Sequence, residues 1–159
     1  MLDPKNENKL SPIAELLLFE ASRAQLLAER IIPGLEKGAI VTCDRFHYST
    51  LAYQSSNKVS LEDIDKANRI ALQGLSPDIT FLFDVSPEVA FRRFNSTLDR
   101  IEAMGVNYME KVRKVYLKIA SENRDEFRVI DTQNNDADKV ALEVRGHLDD
   151  YLRYRGIIN

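Results

Sequence analysis

The segment GAIVTCDRFHYSTLAYQ, residues 38–54, holds the features from which the fold can be inferred. Residues 39–42 form a short apolar run with β-branched side chains, which is typical of a strand. Polar and charged side chains follow at once, beginning with Asp44 and Arg45. We therefore predict a buried strand near 39–43 whose carboxyl end carries functional residues.

The same alternation continues along the chain. Further strand-like runs lie near 79–85 and 127–131, and amphipathic helical patterns separate the three runs. Helix starts are indicated at Ser11-Pro12, Ser60, Ser86-Pro87, Asn107 and about Ala137. Strands alternating with helices predict an α/β fold with a parallel sheet, whose ligands bind at the carboxyl ends of the strands.

Composition excludes several classes of protein. A chain of 159 residues, 44% of them hydrophobic, predicts a single domain over 1–159. Its one cysteine, Cys43, excludes an internal disulfide framework and is expected in the core on the first strand. No apolar run is long enough to cross a bilayer, so we expect a cytoplasmic protein without a membrane partner. A net charge of −3 argues against nucleic acid as a partner.

The residues after the first strand share one helical face. Arg45, Ser49 and Tyr53 recur every four positions, which places them together if the segment is helical. The planar guanidinium of arginine suits a phosphate, while a hydroxyl, a phenol and the amide of Gln54 suit a small polar ligand. A surface ion pair between Asp44 and Arg45 is the alternative explanation. The combination predicts a site for a small phosphorylated molecule.

These residues resemble a known family. Residues 44–54 match the DR[YFH]xxSxxAYQ segment of thymidylate kinases throughout, and residues 16–25, LLLFEASRAQ, resemble that family's LLLFxAxRAQ helix. Downstream, residues 76–93 resemble its PDLTxxLDVxPExxxxR segment, and LDRIE at 98–102 resembles the end of its lid. The chain is similar to thymidylate kinases, in order, from Leu2 to about Asp131. The resemblance implies a P-loop-kinase-like fold.

For the base, the resemblance implies two residues. Phe19 matches the phenylalanine that stacks on thymine, and Arg23 matches the arginine that hydrogen-bonds a thymine carbonyl. The two are four positions apart, so a helix places them on one face. Core packing of Phe19 and solvation of Arg23 are the alternative explanations.

For the phosphate and sugar, the resemblance implies a second set of residues. Arg45 matches the arginine that holds the monophosphate, and Asp44 matches the acid near Mg²⁺, which binds through few carboxylates and keeps several waters. The residues matching those that line the nucleoside are Ser49, Tyr53 and Gln54. The tyrosine would occupy the position of a ribose 2′-hydroxyl, which favours a deoxyribonucleotide.

The resemblance also implies a lid, at about 92–106. Its candidate catalytic arginines are Arg93 and Arg100, with Arg92 beside them, and they would neutralise the phosphoryl group transferred from ATP. The stretch between Arg93 and Asp99 is shorter than the common bacterial lid and lacks its internal arginines. Members of the family form homodimers through the helix that corresponds to the one carrying Phe19, so a homodimer is expected here.

The chain departs from the pattern in one important respect. No GxxxxGK[ST] segment, which cradles the nucleotide phosphates in a P-loop kinase, occurs in the 159 residues. The N-terminal strands of the sheet are therefore expected to be missing. A separate N-terminal P-loop segment, direct pairing of the flanking strands, or another copy of the chain could fill the gap. We expect these 159 residues alone to turn over dTMP and ATP at a negligible rate.

The sequence thus predicts a thymidylate kinase, phosphorylating dTMP to dTDP with ATP and Mg²⁺, of which this chain supplies the dTMP-binding and lid portion. A catalytically silent nucleotide-binding or partner subunit is one alternative. A deoxynucleoside kinase is the other, and the complete match of residues 44–54 argues against it.

Overall fold

The computed structural model describes residues 10–93 and 104–159, which form an α/β arrangement rich in helices. In chain order the elements are α1 (Pro12–Leu26), α2 (Ile32–Glu36), α3 (His47–Ser56), α4 (Leu61–Leu72), β1 (Thr80–Asp84), α5 (Pro87–Arg93), α6 (Val106–Glu122), β2 (Phe127–Asp131) and α7 (Ala137–Tyr154). The predicted α/β class is confirmed, and most of the predicted lid lies outside the described residues. No described helix is both long and apolar enough to span a membrane.

The helix starts follow the predicted capping signals. The hydroxyl of Ser11 accepts a hydrogen bond from the Ala14 amide at 3.2 Å, and the hydroxyl of Ser60 accepts one from the Asp63 amide at 3.1 Å. A π-helical turn, Leu27–Ile31, joins α1 to α2. It ends two residues before Pro33, whose missing N–H interrupts regular helical bonding, so the helical region that begins at Ser11-Pro12 contains a local irregularity.

The described residues belong to two compact units, 10–76 with 104–115 and 77–93 with 116–159. In the first unit, α1 packs against α4, and α3 contacts both. Its core includes Leu16, Val59 and Ile64, with Leu51 and Ala67 packed against them. This unit holds α3, the helix that follows the polar segment after residue 43. That the whole chain forms one domain stays a prediction.

The second unit contains the only β-ladder among the described residues. β1 and β2 are parallel, in register from Thr80 opposite Phe127 to Asp84 opposite Asp131. The Thr132 amide extends the pairing by donating to the Asp84 carbonyl oxygen at 2.9 Å. The two strands near 79–85 and 127–131 are therefore confirmed, and both end on an aspartate.

The structure corrects the prediction of a strand near 39–43. These residues are described and form no strand. The Ala39 amide donates to the Gly34 carbonyl oxygen, and Ile40 is 68% exposed. A strand exists only where a neighbouring strand supplies backbone donors and acceptors, and none of the described strands pairs with this run. Cys43, expected in the core, is exposed for the same reason.

Candidate functional site

Arg45, which precedes α3, contacts two predicted site residues on one face of that helix. The Arg45 Nε donates to the Ser49 hydroxyl at 3.1 Å, and the Arg45 guanidinium carbon lies 4.5 Å from the centre of the Tyr53 ring. The three side chains, spaced four positions apart in the sequence, are therefore close together. Arg45 has a φ of 62°, in the left-handed region that is unfavourable for residues with a side chain.

A residue of α6 in the first unit hydrogen-bonds the α3 backbone at Tyr53. The Tyr108 hydroxyl, at the start of α6, donates to the Tyr53 carbonyl oxygen at 2.9 Å. The two rings lie 6.4 Å apart and are tilted by 60°. Tyr108 was not predicted to contribute to the site. Nothing in the spacing of residues 44–54 indicates this contact.

The opposite face of α3 is buried. Thr50 and Gln54 are 2% and 1% exposed, and the Gln54 amide nitrogen donates to the Glu15 carboxylate at 3.0 Å. The prediction placed Gln54 with Ser49 and Tyr53 around the nucleoside. The structure instead separates Gln54 from them and ties it to α1, and its contact with a ligand stays a prediction.

Arg23 lies at the centre of a buried polar network that joins α1, α3 and α4. One terminal nitrogen donates to Glu20 and lies 3.4 Å from the Asn68 side-chain oxygen. The other donates to the Phe46 carbonyl oxygen at 3.2 Å and to the Thr50 hydroxyl at 2.8 Å. Because Arg23 is only 9% exposed, the alternative that it is a solvated arginine is wrong.

Two polar atoms of this region are buried without a hydrogen-bond partner among the described residues. They are Oε2 of Glu20 and Nδ1 of His47. Burial, and secondarily the charge of Arg23, lowers the pKa of His47 from 6.5 to about 4. Its ring lies against Tyr48, with centres 3.9 Å apart. His47 is therefore neutral at pH 7.

Phe19 and Asp44 are the remaining candidates in the first unit. Phe19 is half-buried, one helical turn before Arg23 on α1. Asp44 is exposed and directly precedes Arg45. Among the described residues, no group of three or more His, Cys, Asp or Glu side chains could hold a metal ion. Asp44 would therefore have to share an ion with water and ligand oxygens.

The candidate catalytic arginines belong elsewhere in the chain. Arg93, in the second unit, donates to the carbonyl oxygens of Thr132 and Gln133 at 2.8 and 2.9 Å, just after β2. Arg100 and the LDRIE segment lie outside the described residues. The structure thus gives Arg93 a contact with the chain itself, and its role towards a phosphoryl group stays a prediction.

Sequence reasoning missed the buried partners of Arg23. Glu20 precedes Arg23 by three positions, which is a helical ion-pair spacing that the sequence does contain. Thr50 and Asn68 are 27 and 45 positions away from Arg23, so no local pattern could associate them with it. These residues meet only because α1, α3 and α4 pack against one another.

Comparison with known proteins identifies the family. The family model for thymidylate kinase matches residues 1–143. The chain belongs to the thymidylate kinase family.

Individual relatives agree with this assignment. The thymidylate kinase of Thermosipho melanesiensis is 44% identical over 149 residues, covering 92% of this chain and 72% of that protein. The Enterococcus faecalis enzyme is 38% identical over 138 residues, covering 84% and 65%. A crystal structure of thymidylate kinase from Ehrlichia chaffeensis has a TM-score of 0.71 and 32% identity, covering 90% and 68%. The chain thus spans about two thirds of the length of such relatives.

Proposed function

We propose that this chain supplies the dTMP-binding part of a thymidylate kinase, which transfers the γ-phosphoryl group of ATP to dTMP. The observation that carries the proposal is the conformation of Arg45. An exposed arginine with φ of 62° stores unfavourable backbone energy, and such strain is concentrated at functional sites. Ser49 and Tyr53 orient its guanidinium, which supports its use as a fixed binding group.

The dTMP phosphate would be bound between Arg45 and the start of α3. The helix begins at His47, and Phe46 at its cap position offers no side-chain acceptor to the first amides. Backbone amides at a helix start favour an anion, and arginine adds charge-assisted hydrogen bonds. This combination supports a phosphate rather than a neutral group.

The base would lie on Phe19, with its polar edge towards Arg23. A half-buried ring leaves one surface for stacking, which contributes about 1–3 kcal/mol per base. The polar network fixes the Arg23 guanidinium before any ligand arrives. Pre-organisation of this kind lowers the entropic cost of binding.

Asp44 is the residue of this site that suits Mg²⁺. Mg²⁺ commonly binds through one or two carboxylates, water and substrate phosphates, and the exposed carboxylate of Asp44 beside Arg45 provides one such ligand. When bound, the ion would neutralise charge on the phosphate oxygens. Asp44 would hold the ion's water shell, while Arg45 orients the acceptor phosphate. Arg93 and Arg100 stay candidates for contacting the transferred group.

The test is binding of dTMP and of thymidine, measured by calorimetry without ATP. We expect dTMP to bind more tightly than thymidine, and Arg45→Ala to weaken dTMP binding by about 1.5–3 kcal/mol while leaving thymidine unchanged. Arg69→Ala is the matched control, because Arg69 is an exposed arginine of the same unit that forms an ion pair with Asp65 on α4. Equal affinities for dTMP and thymidine would contradict the phosphate site.

The same measurements separate the alternatives. A deoxynucleoside kinase would bind thymidine at least as well as dTMP. A silent nucleotide-binding subunit would bind dTMP without turnover, and the lack of GxxxxGK[ST] in these 159 residues favours keeping this alternative. A coupled assay for ADP release, run with and without an added P-loop segment, distinguishes it from the enzyme.

We also propose a homodimer formed through α1. Ile13, Leu17 and Leu18 are 47%, 57% and 48% exposed, although they lie on the helix that carries Phe19. Burial of these side chains against a second copy would remove apolar area from water. We expect light scattering to give a dimer and Leu17→Arg a monomer, with Leu142→Arg on α7 as the control. A monomeric, folded wild-type chain would contradict the dimer.

A further inference from the structure

Tyr108 connects α6 to the open face of α3 within the first unit. It lies in the first turn of α6, where its own amide and that of Met109 donate to the Gly105 carbonyl oxygen. The Tyr108 side chain is half-buried, and its hydroxyl donates to the Tyr53 carbonyl oxygen at 2.9 Å. The centres of the two rings are 6.4 Å apart, within the range of an aromatic contact. Tyr108 therefore contacts both the backbone and the side chain of Tyr53.

The Tyr53 carbonyl oxygen lies where α3 ends. The helix runs to Ser56, and the Tyr53 carbonyl oxygen also accepts a hydrogen bond from the Asn57 amide at 3.1 Å. A carbonyl oxygen has two lone pairs, so the Tyr108 hydroxyl can bond to it in addition to the helical donor. Helix ends fray, and a further bond at the last turn opposes this motion. The Tyr108 hydroxyl thus fixes the turn of α3 that carries the Tyr53 ring.

The Tyr53 ring in turn supports Arg45. The Arg45 guanidinium carbon lies 4.5 Å from the centre of this ring, while the Arg45 Nε donates to the Ser49 hydroxyl. A guanidinium is planar and stacks on the face of an aromatic ring, so the ring determines the plane in which the guanidinium lies. A shift of Tyr53 therefore changes the orientation of the Arg45 donors.

We propose that Tyr108 is a positioning residue for binding of the dTMP phosphate. Its hydroxyl fixes Tyr53, and the Tyr53 ring holds the Arg45 guanidinium in the orientation that binds the phosphate. This inference rests on the proposed dTMP-binding function and adds a residue of α6 to it. Because Tyr108 acts through Arg45, removal of its hydroxyl should weaken binding of the phosphate and leave binding of the nucleoside unchanged.

The experiment compares calorimetric Kd values for dTMP and thymidine in the wild-type chain and in Tyr108→Phe. Phenylalanine keeps the ring beside Tyr53 and removes only the hydroxyl. We expect the Kd for dTMP to rise about 2- to 10-fold, the effect of one net hydrogen bond, and the Kd for thymidine to change by less than about twofold. Tyr116→Phe is the matched control, because Tyr116 is another half-buried tyrosine of α6. It should leave both Kd values unchanged.

A combination of two variants separates positioning from general support of the fold. Arg45→Ala removes the guanidinium, so adding Tyr108→Phe to it should leave the Kd for dTMP unchanged. A hydroxyl that only stabilised the fold would weaken dTMP binding by the same factor with and without Arg45, and that result would overturn the proposal. Equal weakening of dTMP and thymidine by Tyr108→Phe would also overturn it.

A measurement without ligand tests the link between Tyr108 and Arg45 directly. The Arg45 Nε–H gives an NMR signal that can be identified by its loss in Arg45→Ala. We expect this proton to exchange with water at least about twofold faster in Tyr108→Phe, because its bond to Ser49 opens more often when Tyr53 moves. An unchanged exchange rate would overturn the proposal whether or not dTMP binds. Faster exchange in a chain that binds no dTMP would contradict the proposed function alone.

Discussion

The two faces of α3 differ in their contacts, although their residues alternate along one helix. Thr50 and Gln54 are buried and bonded to α1, whereas on the more open face Arg45, which precedes α3, donates to Ser49 and lies against the Tyr53 ring. A buried polar group that loses its partner cannot be compensated by water, but an exposed one can. The buried face of α3 should therefore determine stability, and the open face should determine binding.

The first prediction concerns a variant that disrupts the buried network. Arg23→Ala removes a guanidinium that contacts Glu20, Phe46 and Thr50 and leaves the Glu20 charge uncompensated. We expect the free energy of unfolding in urea to fall by about 3–5 kcal/mol, the usual effect of breaking a buried pair. Arg45→Ala is the control on the open face, and it should change stability by about 0.5 kcal/mol or less.

A double variant tests whether the effect of Arg23→Ala arises from its pairing with Glu20. Once Arg23 is absent, the Glu20 carboxylate is itself a source of instability. Glu20→Ala combined with Arg23→Ala should therefore destabilise by less than the sum of the two single variants. Additive effects would show that the two side chains act independently. If Arg23→Ala lost no more stability than Arg45→Ala, the two faces of α3 would not differ in their contribution to stability.

The second prediction concerns pH and His47, at the start of the same helix. The folded-state pKa of about 4 lies below the ordinary 6.5, so the unfolded chain binds a proton that the folded chain does not. Stability is thus fully present above pH 6.5 and decreases as the pH falls towards 4, by up to about 3 kcal/mol. His47→Phe keeps a ring beside Phe46 and Tyr48 and should flatten this part of the urea-derived profile. Coincident profiles for the two proteins would contradict the assignment.

Much of the fold was accessible from the sequence because the signals are local. Ser11, Ser60 and the apolar runs near 79–85 and 127–131 each act over a few residues, and each gave the element that is observed. The run at 39–43 has the same local composition and forms no strand. Strand formation depends on a hydrogen-bonded neighbour, and that is a property of the assembled sheet, which local composition does not encode.

In the candidate site, too, local features could be predicted from the sequence and contacts between distant residues could not. The spacing of Arg45, Ser49 and Tyr53 is a helical repeat and could be predicted. The burial of Gln54 against Glu15 could not, because these residues are 39 positions apart. Arg23 was associated with the site through the resemblance, but its partners on α3 and α4 required the packed helices. Sequence thus identified the open face better than the buried one.

The last and smallest effect isolates the strain at Arg45. Its φ of 62° is unfavourable for any residue with a Cβ. Glycine, which has no Cβ, adopts this φ without the same penalty. Both Arg45→Ala and Arg45→Gly should lose the phosphate contact equally, but the glycine variant should be more stable by about 1 kcal/mol. The same pair of substitutions at Lys66, an exposed position within α4, should give the opposite order by about 1 kcal/mol, because glycine is unfavourable in a regular helix. Urea unfolding of the four variants tests both statements. If alanine were the more stable at both positions, Arg45 would not be strained, and the open face would have to bind phosphate without a conformation held for that purpose.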